Sequence, residues 1–80
     1  NMRITVDISM YPLTENYIEP IKGFINAVNN NPNIEVVTNK VSTQLRGEHS
    51  EIMPLLTDEM INVFEKIRAS FVIKVIKGND

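Results

Sequence analysis

The 80-residue sequence contains no cysteine, no tryptophan and a single histidine, His49. Without cysteine there is no disulfide framework, no thiolate nucleophile and no Cys-based metal site. A lone histidine has no second imidazole with which to share a metal, so no metal ligand is expected. The lack of cysteine fits a reducing compartment, and a cytoplasmic location is expected. No apolar run approaches the roughly 20 residues that a transmembrane helix needs. The N-terminus lacks a charged segment followed by an apolar one, so no secretion signal is expected. A basic excess is missing too: eight Lys and Arg stand against ten Asp and Glu, for a net charge of −2. Nucleic-acid binders gather cations on one face, and these are scattered, so neither nucleic acid nor membrane is an expected partner.

What the chain does have is ordinary globular composition, 42% hydrophobic and 22% charged, and a length that allows one domain. Asn1 precedes Met2, an order that points to Met2 as the native start, and the domain is taken as 2–78. So short a chain buries a modest share of its surface, and oligomerisation is a common source of extra stability.

Six elements can be read from the hydrophobic period. From Arg3 to Met10, Ile4, Val6, Ile8 and Met10 alternate with Arg3, Thr5, Asp7 and Ser9, the pattern of a half-buried strand. Tyr11-Pro12-Leu13 is expected to break it. A helix follows, capped by Thr14 or Asn16, with Glu19 placed for a capping box and Pro20 in the first turn. Its stripe is Ile18, Ile21, Ile25 and Val28, widened by Phe24. Three asparagines, 29 to 31, before Pro32 are expected to stop it, since asparagine tolerates the left-handed conformation. Ile34 to Thr38 reads as a second strand, Asn39-Lys40 as a tight turn and Val41 to Arg46 as a third strand ended by Gly47 at positive φ. Ser50 is expected to cap a second helix with the stripe Ile52, Leu56, Met60, Val63 and Ile67. Phe71 to Ile76 is the last strand.

The order βαββαβ is that of the ferredoxin-like unit, an α+β sandwich. Right-handed crossovers favour a four-stranded antiparallel sheet in the order 4-1-3-2 with two helices on one face. Strand parity then assigns the uncovered face. It should carry Thr5, Asp7 and Ser9, then Ser42, Gln44 and Arg46, then Val72, Lys74 and Ile76, with Val37 beside them. Val41, Thr43 and Leu45 should face the helices. A bare face that mixes β-branched and charged residues suits self-association into a homodimer or homotetramer.

Generic catalytic chemistry finds little support. Asp7, Glu48 and Glu51 could act as acids or bases, but no spacing places two across a substrate. Ser9, Ser42 and Thr43 have no histidine base predicted beside them. Gly47 alone is no phosphate loop, and Met10, Met53 and Met60 read as core filler. The chain is therefore expected not to be an enzyme, with no catalytic residue and no cofactor.

Two segments are more specific. One is Asp7-Ile8-Ser9-Met10-Tyr11-Pro12-Leu13 before the first helix. The other is Val41-Ser42-Thr43-Gln44-Leu45-Arg46-Gly47-Glu48 before the second. Ile8, Ser9, Tyr11 and Pro12 match an I-S-x-Y-P strand end, and Ser42, Thr43 and Gly47 match an S-T-x-x-x-G strand. On these the chain resembles the YkoF-type family of thiamin- and hydroxymethylpyrimidine-binding proteins, over nearly its whole length. The resemblance implies a non-catalytic carrier or sensor for thiamin or its pyrimidine precursor in vitamin uptake or salvage. Some members carry two such units in one chain, so a single unit would complete itself by oligomerisation.

The residue inventory suits such a ligand. An aminopyrimidine presents a donor beside an acceptor, which an amide can meet with two hydrogen bonds. Gln44 and Asn39 are the nearby amides, and Ser9, Ser42 and Thr43 add hydroxyls. Tyr11, Asp7 or Glu48 could face the cationic thiazolium. The expected ligand-binding set is thus Asp7, Ser9, Tyr11, Asn39, Ser42, Thr43, Gln44 and Glu48. The rival reading is a structural or regulatory oligomer whose open sheet face only mediates self-association.

Overall fold

The computed structural model describes residues 2–39 and 42–78. Lys40 of the expected tight turn and the expected strand start at Val41 lie outside them. The elements are β1 (Arg3–Pro12), α1 (Ile18–Val28), β2 (Glu35–Thr38), β3 (Thr43–Glu48), α2 (His49–Phe64) and β4 (Ala69–Lys77). The four strands form one antiparallel sheet in the order β2-β3-β1-β4, the ferredoxin-like arrangement that the element order implies. No helix among the described residues is long and apolar enough to cross a membrane.

Alternation on β1 sets the layers. Ile4, Val6 and Ile8 are buried, and they join Leu45 of β3, Phe24 and Val28 of α1, and Ile52, Leu56 and Val63 of α2 in one core. Phe71 of β4 closes one end, with ring centroids 5.5 Å from both Phe24 and Phe64. Tilted and edge-on pairs of this kind add to the burial of their area.

Both helices begin elsewhere than expected, and for α1 proline is the reason. With Asn16 as cap, the first intrahelical bond would need an N–H at residue 20, which is Pro20. The helix instead takes Tyr17 as its cap, without a side-chain cap bond, and Ile21 N donates to Tyr17 O at 3.1 Å. Pro20 then occupies a position whose N–H is unused in any helix. α2 begins one residue before Ser50 although Pro54 lies inside it, and Pro54 gives the Ser50 carbonyl no i+4 donor. The helix starts from Glu48 instead, again without a side-chain cap bond. His49 N donates to Met2 O at 2.8 Å, which ties that start to β1.

Three further expectations are corrected. β1 does not break at Tyr11: it pairs with β4 through Tyr11↔Ser70 and Pro12↔Ala69. Leu13 N donates to Arg68 O, so the nitrogen of Pro12 points to the opposite side, past the last β3 pair at Ile8↔Thr43. A strand accommodates proline where no donor is required. The asparagine stop uses no left-handed residue, since no described residue other than glycine has positive φ. Asn29 Nδ2 donates to Ile25 O at 2.8 Å, and Asn31 Oδ1 accepts from Asn33 N at 2.9 Å. The first of these adds to the Asn29 N bond that Ile25 O already accepts, and the second shapes the loop after the helix.

Gly47 does not end β3 either. It lies within the strand opposite Ile4, and no glycine among the described residues has positive φ. Its small size serves a close approach: a Cβ there would sit 3.1 Å from Asn33 O and 3.6 Å from Ile52 Cδ1. Gly47→Ala should therefore lower stability by about 1 kcal/mol, the lower end of overpacking costs. That corresponds to a fall of roughly 4–8 °C in Tm for a domain of this size. A thermal melt with an unchanged or higher Tm would show that the loop at Asn33 yields without cost.

Candidate functional site

The β2–β3 hairpin and α1 enclose a cleft at one end of the sandwich, with a volume of about 230 Å³. Its floor and walls are apolar: Ile8 and Met10 from β1, and Ile21, Phe24 and Ile25 from α1. The hairpin supplies four polar residues, Thr38, Asn39, Ser42 and Thr43. Thr38 and Thr43 are register partners across the strand pair, and Thr43 also stands opposite Ile8 of β1. Thr43 is buried, the one polar residue in that class among those described. A hydroxyl held there is positioned by its strand rather than by a mobile loop.

Asn39 organises the hairpin end. Its Oδ1 accepts from Ser42 N at 2.9 Å, while Asn39 N donates to Ser42 O at 3.0 Å. The acceptor half of this amide is therefore committed to the chain itself.

The opposite, uncovered face is a grid fixed by register. One row reads Val37, Gln44, Asp7, Lys74; the next reads Glu35, Arg46, Thr5, Ile76. Ser9 faces Val72, and Tyr11 faces Ser70. Tyr11, Val37, Val72 and Ile76 are all exposed. Asp7 Oδ1 is shut off from solvent without a hydrogen-bond partner. At the far end of the sheet, Arg3 Nη1 lies 3.9 Å from Glu48 Oε2 and Arg46 Nη1 lies 4.0 Å from Glu35 Oε2. Pairs this exposed contribute little to stability. They flank an open groove of about 610 Å³ that Lys77 and Gly78 also line.

The eight residues expected to bind ligand are thus divided. Asn39, Ser42 and Thr43 meet at the cleft. Asp7, Ser9, Tyr11 and Gln44 lie on the uncovered face. Ser42, expected on that face, precedes the first β3 residue and lines the cleft instead. Glu48 sits five β3 residues from Thr43, about 17 Å at strand rise, and pairs with Arg3. His49 opens α2 beside it and is exposed. No group of three or more metal-capable side chains occurs among the described residues. Thr38, Ile21 and Phe24 were not legible as site residues, because each reads as strand or core on its own. The usable signal was a threonine at both ends of the expected hairpin.

The model of the YKOF-related Family matches residues 3–77. No protein of curated function matches the sequence. Among solved structures, a protein of Streptococcus pneumoniae is similar with a TM-score of 0.87 at 20% identity, over 98% of this chain and 89% of its own. A hypothetical protein of Methanocaldococcus jannascii gives 0.81 at 21% identity, over 98% and 82%. A Thermotoga maritima protein described as a candidate thiamine biosynthesis/salvage protein gives 0.79 at 19% identity, over 92% and 82%. At these identities the similarity speaks for the fold.

The role given to Asn39 is open to measurement. Asn39→Ala should remove the acceptor for Ser42 N, at a cost of about 0.5–1.5 kcal/mol, and speed exchange of the Ser42 amide hydrogen. Asn39→Asp retains an acceptor and should preserve the protection. Equal exchange in all three proteins would remove the side chain from the turn.

Proposed function

Because the chain belongs to the YKOF-related family, we propose that it binds thiamin or hydroxymethylpyrimidine without catalysis, as a carrier or sensor in vitamin uptake or salvage. The observation that carries this reading is the cleft under α1, which combines an apolar enclosure with hydroxyl-bearing residues of the paired strands β2 and β3. Binding sites for small molecules have this composition: mostly apolar walls and a few placed polar groups. The volume of about 230 Å³ falls below the ~300–1,000 Å³ usual for drug-sized ligands. It suits one flat ring, so the aminopyrimidine would enter and the rest of thiamin would extend outward past Asn39 and Ser42.

The chemistry of the two sides agrees. Thr43 and Thr38 hydroxyls can each donate to a ring nitrogen or accept from an exocyclic amine. Ile21, Ile25 and Met10 offer apolar surface to the ring faces. The description of the Thermotoga maritima relative as a candidate thiamine protein points to the same ligand class. The non-catalytic part of the proposal is supported by the position of His49, which lies at the other end of β3 from the cleft.

Thermal shift and calorimetric titration with thiamin, hydroxymethylpyrimidine and the thiamin phosphates test this reading. Ligand at 100 times its dissociation constant adds about 2.7 kcal/mol, which should raise Tm by roughly ten degrees or more. Thr43→Val keeps the shape and removes the hydroxyl, and should weaken binding by about tenfold, the value of one hydrogen bond. Absence of a shift with every compound would refute the ligand class. Binding that survives Thr43→Val but is lost in Asp7→Asn with Gln44→Ala would move the site to the uncovered face.

A further inference from the structure

The cations are scattered along the sequence, but the topology gathers three of them. Arg3 opens β1, Arg46 lies near the end of β3 and Lys77 ends β4. Antiparallel pairing brings these places to one end of the sheet, where Thr5 pairs with both Arg46 and Ile76, and Ile4 with Lys77. Arg3, Arg46 and Lys77 line the open groove of about 610 Å³ found there, together with Thr5 and Ile76. Among the described residues, Glu35 is the one carboxylate in its lining. A chain with a net charge of −2 thus presents one groove with a local excess of positive charge.

The spacing of the two arginines is set by register. Arg46 stands opposite Thr5, and Arg3 is two residues from Thr5 on the same face of β1. The arginines are therefore diagonal neighbours, about 7–8 Å apart. Two like charges so placed repel, and the carboxylates beside them compensate only in part. Arg46 Nη1 lies 4.0 Å from Glu35 Oε2, and Arg3 Nη1 lies 3.9 Å from Glu48 Oε2. Both separations exceed hydrogen-bond reach, and exposed pairs of this kind are weak. An oxyanion between the two guanidinium groups would instead accept charge-assisted hydrogen bonds, roughly twice as strong as neutral ones. The planar fork of arginine matches two phosphate oxygens at once. The groove falls within the ~300–1,000 Å³ usual for small-molecule sites, so an organic group fits beside the phosphate. Half-exposed Ile76 offers that group an apolar surface.

We infer that this groove binds a small phosphomonoester, its phosphate held by Arg3 and Arg46 with Lys77 alongside and its organic part against Ile76. Nucleic acid fits less well, because no aromatic side chain lines the groove to stack a base. The cleft under α1 lies at the other end of β3, on the covered side of the sheet, so this site stands whether or not a pyrimidine binds there.

Amide chemical-shift titration by NMR tests the inference with inorganic phosphate and phenyl phosphate, each against sodium chloride at equal ionic strength. Both phosphates should give saturating shifts at Thr5, Arg46 and Lys77 and none at Thr38 or Thr43. Phenyl phosphate should bind more tightly, because its ring can lie on Ile76. Arg46→Gln should weaken binding by at least about tenfold, the worth of a hydrogen bond to a charged group. Arg46→Lys, which keeps the charge and loses the fork, should fall between that variant and the wild type. Glu35→Gln should tighten binding, since it removes the competing carboxylate; a purely structural Arg46–Glu35 pair gives no such gain. Shifts that fail to saturate, or that chloride reproduces, would overturn the inference. So would undiminished binding by Arg46→Gln, or phosphate-induced shifts confined to the cleft.

Discussion

β1 is paired along both edges, to β3 from Arg3↔Glu48 to Ile8↔Thr43 and to β4 from Ile4↔Lys77 to Pro12↔Ala69. Its pleat therefore dictates the pleat of both neighbours. Ile4, Val6 and Ile8 go under the helices, and in the same register Gly47, Leu45 and Thr43 go with them. Thr5, Asp7 and Ser9 turn outward with Arg46, Gln44 and Lys74. A slip of one residue would exchange the two sets, which is why a strand with one buried face is strongly specified. The core, the cleft and the charged outer row all follow from this one alignment.

The two chemistries of the molecule are separated by the thickness of the sheet. On the covered side, Thr43 brings a hydroxyl into an apolar enclosure, where a hydrogen bond to a ligand has little competition from water. On the uncovered side, Asp7 and Lys74 stand among exposed valine and isoleucine, where their worth depends on what excludes solvent. A single strand, β3, serves both sides: Thr43 faces the cleft and the adjacent Gln44 joins the outer row. The cleft and the outer row therefore draw on different side chains of one 80-residue chain.

Prolines shape the connections more than caps do. Pro20 sets the start of α1 where its missing donor is harmless, while Pro54 is accommodated inside α2. Neither helix has a side-chain cap bond at its first residue. The start of α2 is held by the backbone of Met2, so the helix that covers β3 is anchored to the strand beside it. Gly47 allows the chain at Asn33 to pass close over β3, and Ile34 enters the core from that loop.

Much of this was legible from residue order. Period-two alternation, two 3.6-residue stripes and the rule of right-handed crossovers were enough for the ferredoxin-like sheet, its strand order and the face on which Asp7, Gln44 and Lys74 emerge. Those are local patterns, and the backbone geometry that reads them is the same in every protein. At Asn16 the missing N–H of Pro20 decides against the cap, and at Ser50 and Gly47 the element ends were not legible because contacts outside the segment intervene: Met2 for His49, and Asn33 and Ile52 for the room at Gly47. The site divided for the same reason. Ser42 and Asn39 turn to the cleft because a hairpin end closes on α1, a contact between segments about 20 residues apart that no spacing within either one encodes.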